Sequence, residues 1–66
     1  MTDEIIIDLE HAAILANEVF DGNEEALIAW FQKPNPYFFN ESPLNYILMG
    51  NGSAVIELFH EKLGVA

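Results

Sequence analysis

Between Trp30 and Gly52 the chain reads WFQKPNPYFFNESPLNYILMGNG, and signals that end or begin helices come so densely there that only short helices fit around them. Trp30 closes an apolar run. Pro34-Asn35-Pro36 forces a turn, because each proline ring fixes φ and drives the residue before it out of helical geometry. Ser42-Pro43-Leu44 opens a helix: the serine hydroxyl accepts from an amide of the first turn, and proline at the first helical position has no amide to leave unsatisfied. Gly50-Asn51-Gly52 closes that helix and starts another.

Outside this stretch the periodicity is helical. Thr2 followed by Asp3 and Glu4 is a helix start, with a capping hydroxyl and two acids that complement the helix dipole. Ile5, Ile6, Leu9, Ala12, Ala13, Ala16, Val19 and Phe20 then recur at spacings of three and four, which places a wide apolar stripe on a first helix over 3–20. Asp21-Gly22-Asn23 ends it and caps a second helix over 24–32, in which Leu27, Trp30 and Phe31 share the buried face. Residues 33–41 form a loop whose Tyr37, Phe38 and Phe39 are expected to lie against the core. A third helix over 43–49 presents Leu44, Ile47 and Leu48 on one side and Tyr46 with Met49 on the other. The fourth, over 52–62, carries Val55, Leu58, Phe59 and Leu63, with Asn51 as its cap and Gly64 as its terminator. The expectation is one all-α domain over 1–66, a small bundle of four helices joined by short turns.

The chain has 66 residues, and a domain of that size buries only about 60% of the surface its unfolded chain exposes, so its stability is modest. It contains no cysteine, so neither a disulfide frame nor a thiolate metal site is available. Eleven acidic residues against two lysines, Lys33 and Lys62, give a formal net charge of −9. That balance argues against nucleic acid, whose affinity rests on Lys and Arg displacing counterions, and against anionic membranes. It suits a basic protein partner. Residues 5–7 are the only apolar run near the start and follow two acids, so no signal peptide is expected; no segment is apolar for long enough to span a membrane, and a cytoplasmic location is expected.

Catalytic and metal chemistry find no foothold in the residue pattern. His11 and His60 have no ligand-spaced companions, and Ser42 and Ser53 belong to no nucleophile elbow. Asp21-Gly22-Asn23-Glu24-Glu25 misplaces the glycine of a calcium loop. Glu24 and Glu25 are adjacent and point about 100° apart on a helix, so they do not converge as an acid and base. The expected class is therefore a binding module, not an enzyme, with no cofactor.

The order of features from Val19 onward resembles the toxin-binding domain of the Xre/MbcA/ParS antitoxin family. The matching motifs are Val19-Phe20-Asp21-Gly22, Glu24-Glu25-Ala26 through Trp30, Pro34-Asn35-Pro36, Ser42-Pro43-Leu44, Gly50-Asn51-Gly52 and Gly64-Val65. The resemblance implies a partner: a RES-domain toxin that consumes NAD, neutralised when the C-terminal segment of the antitoxin obstructs its active-site entrance. Carried over, Leu63, Gly64, Val65 and Ala66 form the plug. Two departures stand out. The helix-turn-helix that such antitoxins carry is missing, so operator repression is not implied, and the last helix reaches Gly64 about two residues early, which bears on the depth of the plug.

Trp30, Leu44 and Val55 are expected in the core, which leaves Tyr46, Met49 and the tail as toxin-contact candidates. Ile7 and Ile14 fall on the far side of the first helix, seven residues apart, and are candidates for self-association as a homodimer. Two other readings compete: an acidic decoy occupying a nucleic-acid-binding surface, and a structural dimerisation module.

Overall fold

A computed structural model describes residues 2–64. Helix α1, Asp3–Val19, begins where Thr2 Oγ1 accepts a hydrogen bond of 3.3 Å from the Ile5 amide. It ends in two left-handed residues, Asp21 (φ 52°) and Gly22 (φ 77°), that reverse the chain. Asn23 Oδ1 then accepts from the Ala26 amide at 3.2 Å and opens α2, Glu24–Gln32. Lys33 is extended, as the proline after it requires. Pro36–Phe38 forms a single 3-10 turn, and Ser42 Oγ accepts from the Asn45 amide at 3.1 Å to start α3, Pro43–Tyr46. A kinked, wider turn over Ile47–Asn51 leads into α4, Gly52–Leu63, which Gly64 closes in left-handed geometry (φ 75°).

The all-α bundle is as expected, but the described residues form three substantial helices and not four. The expected helix over 43–49 is short: after Pro43–Tyr46 the backbone keeps helical dihedrals until Gly50, where the chain kinks into α4. The bend there is left-handed at Gly50 (φ 92°), and Asn51 makes no side-chain capping bond to α4.

Helices α1 and α4 run in the same direction and pack closely. Gly52 at the start of α4 lies against Asp8, and Phe59 and Lys62 near its end share a recess with Val19 and Phe20. Small residues make this approach possible: Ala12 and Ala16 on α1 are fully buried, together with Gly52. Ile47, Val55, Leu58, Phe59, Phe31 and Phe38 complete the core. Trp30, half-buried, is the hub of the aromatics, with its ring centroid 5.0 Å from Phe59, 5.1 Å from Phe31, 6.1 Å from Phe20 and 6.4 Å from Phe38. Edge-on and tilted contacts of this kind add to burial, because ring edges and faces carry opposite partial charge.

Four expectations about burial are corrected. The stripe on α1 is rotated: Leu15 packs on the core, whereas Ile6 and Ala13 lie at its exposed edge. Of Tyr37, Phe38 and Phe39 only Phe38 is buried: Tyr37 lies on the outer side of the 3-10 turn, and Phe39 follows it in left-handed geometry that turns its side chain outward. Tyr46 is half-buried, with its ring centroid 5.0 Å from that of Phe38, so the core does claim it. Leu48, expected beside Leu44 and Ile47, is exposed.

Candidate functional site

Among the described residues no polar or charged side chain is buried, so the acids lie at the surface. His11 and His60 meet edge-on across α1 and α4 with ring centroids 6.0 Å apart, a juxtaposition that linear spacing did not reveal. The described residues contain no group of three or more His, Cys, Asp or Glu placed to hold a metal ion. No described helix is long and apolar enough to cross a membrane.

The surface instead offers apolar features of three kinds. The first is the outer face of α1, where Ile7 and Ile14 are 62% and 64% exposed. Seven residues of helix separate them by about 10 Å along one side. Asp3, Glu10 and Glu18 share that side at 100° per residue, so the isoleucines sit in an acidic surround.

The second is a pair of recesses. An open groove of about 220 Å³ runs between α1 and α2, with Leu9, Ala13, Leu27, Ile28 and Phe31 on its walls and Leu44 of α3 beside them. A second recess of about 230 Å³ is lined by Val19, Phe20, Trp30 and Phe59, with Lys62 at its edge. That lysine is one of the two cations in the chain, and it stands next to Leu63 and Gly64.

The third is the surface around the α3–α4 bend. Met49 is 56% exposed there, beside exposed Leu48. Asn45 Nδ2 donates to Glu41 Oε2 at 2.6 Å and to Met49 Sδ at 3.8 Å, a ladder that orders one side of the bend.

The candidates named from sequence are therefore dispersed. Met49 precedes α4, whereas Leu63, half-buried, and Gly64, exposed, end it. The twelve residues of α4 put about 18 Å between these ends. A contact through Met49 and a contact through the tail are separate footprints. Val65 and Ala66, the outermost plug residues, lie outside the described residues. Both recesses were missed by sequence reasoning because they depend on how helices distant in sequence meet, and exposed Phe39 because its left-handed backbone has no sign in the sequence.

Compared with known proteins, residues 15–58 match the model of a family described as the antitoxin Xre/MbcA/ParS C-terminal toxin-binding domain. No curated protein and no solved structure matches the chain.

Proposed function

Because the chain belongs to the antitoxin Xre/MbcA/ParS C-terminal toxin-binding domain family, we propose that it is a non-enzymatic, cytoplasmic module that neutralises a RES-type, NAD-consuming toxin by occlusion. The family match carries the reading. It spans the last turn of α1 from Leu15, all of α2, the aromatic loop, α3 and the bend, and α4 as far as Leu58. Tyr46 and Met49 fall inside it, and the proposed plug of Leu63, Gly64, Val65 and Ala66 falls beyond it.

Two physical features support the reading. The surface holds apolar recesses and exposed apolar side chains, as a protein contact needs. The charge of −9 draws the module toward a site built to hold the anionic pyrophosphate of NAD. Self-association through Ile7 and Ile14 is a second proposal, favoured by their exposure on one side of α1.

The reading is tested by pull-down with an N-terminal tag, which leaves the C-terminus free, and mass spectrometry of stoichiometric partners at moderate salt. Recovery of a RES-domain protein whose NAD-consuming activity returns once the 66-residue chain is stripped away supports it. Recovery of a basic nucleic-acid-binding protein that salt releases would replace it with the decoy reading.

A further inference from the structure

Phe39 occupies a position that the fold gives it no reason to hold. Its backbone is left-handed (φ 57°, ψ 38°), a region that glycine enters freely and that the Cβ of a bulky residue opposes. Its side chain is 84% exposed, more than any other large apolar residue described, and it is not among the residues packed on the core. A phenylalanine here therefore costs stability through backbone strain and gains almost none from burial. Glycine would remove the strain.

Hydrogen bonds brace the loop beneath it. Asn35 Oδ1 accepts from the Tyr37 amide at 2.9 Å, and the Asn35 carbonyl accepts from the Phe38 and Asn40 amides, each at 2.9 Å. The Asn35 amide donates to the Glu41 carbonyl at 3.1 Å and closes the base of the loop. Phe38, 1% exposed, ties the loop to the core between Tyr46 and Trp30. Phe39 thus projects from a braced backbone, so that binding orders little beyond its own ring.

We propose that Phe39 is the aromatic anchor of a protein contact and inserts its ring into an apolar pocket of the toxin, a pocket whose surroundings are basic. The loop lies inside residues 15–58, the span matched to a toxin-binding domain, and that selects this occupant over a second copy of the chain. The net charge of −9 favours a pocket with basic surroundings. The assignment rests on the antitoxin reading and adds to it a footprint that the tail does not supply.

The test compares the intact chain with Phe39→Gly and Phe39→Trp for binding to a RES-domain protein from the same organism by titration calorimetry, alongside thermal unfolding. The expected results are a rise in the unfolding midpoint of Phe39→Gly, a loss of affinity on the order of thirtyfold for that variant, and tighter retention by Phe39→Trp. Unchanged affinity of Phe39→Gly overturns the anchor while leaving the antitoxin reading intact. A lower midpoint with unchanged affinity assigns the residue to the fold and overturns it too. If the intact chain binds no RES-domain protein, the antitoxin reading falls and the anchor with it. A dimer of the free chain that Phe39→Gly disperses in sedimentation gives the loop to a second copy and overturns the toxin assignment.

Discussion

Replacing Gly52 with alanine should force α1 and α4 apart. Gly52 is buried at the first turn of α4, and a methyl group built on it lies 2.6 Å from Asp8 Cβ, 2.8 Å from Asp8 Oδ2 and 3.0 Å from Asp8 Cγ. Carbon atoms in contact prefer about 3.5–4.0 Å, so the helices must separate by roughly 1 Å. Rotation of the Asp8 side chain moves the carboxylate but not its Cβ, which is fixed to the backbone of α1. Alanine ordinarily gains up to about 1 kcal/mol over glycine in a helix, and less at its first position. Overpacking a close contact costs about 1–3 kcal/mol. The net expectation is a loss of about 1–2 kcal/mol, which in a domain of this size lowers the unfolding midpoint by roughly 5–15 °C. Far-UV circular dichroism measures it directly. The companion variant Asp8→Gly removes the opposing Cβ, so the double variant should lose less than the two single losses added together. A rise in the midpoint of Gly52→Ala, the ordinary propensity gain, would refute the close approach of α1 and α4.

Phe59→Ala removes a ring that is 1% exposed and 5.0 Å from Trp30, a loss of about 3–5 kcal/mol that rivals the whole stability of so small a domain; the variant should lack cooperative unfolding and show red-shifted Trp30 fluorescence. Ser42→Ala deletes the cap on the Asn45 amide and should cost about 1 kcal/mol, read as a lower urea midpoint with unchanged slope. Ile7→Glu with Ile14→Glu changes exposed positions only, so stability should shift by less than about 0.5 kcal/mol per site. Sedimentation should show that pair converting a dimer to a monomer, and an intact chain that is already monomeric rejects self-association.

The helix boundaries were legible because their signals are local. Thr2, Asn23 and Ser42 each cap the helix that follows, and Gly64 closes α4, through bonds within three residues along the chain. Burial was less legible where the pattern offered more apolar residues than the core accepts. The wide stripe on α1 left open which edge α4 would cover, and the close approach at Ala12, Ala16 and Gly52 selected Leu15 over Ile6 and Ala13. Three aromatics in succession did not reveal which one faces inward, because the left-handed geometry of Phe39 and Asn40 has no sign in a residue as bulky as phenylalanine. The candidate contact residues were readable as apolar and unclaimed. Their separation onto opposite ends of α4, and the recess beside Lys62, depend on tertiary packing that no spacing in the sequence records.

Inhibition bears most directly on whether this chain is the neutralising half of a toxin pair. NAD consumption by a purified RES-domain protein from the same organism would be followed while the intact chain, and a chain ending at Lys62, are titrated in. Linear loss of activity to a stoichiometric end point with the intact chain, and weaker inhibition by the shortened chain, is the predicted result. Undiminished NAD consumption at saturating intact chain would contradict the antitoxin reading, and equal inhibition by a folded shortened chain would contradict occlusion by the tail.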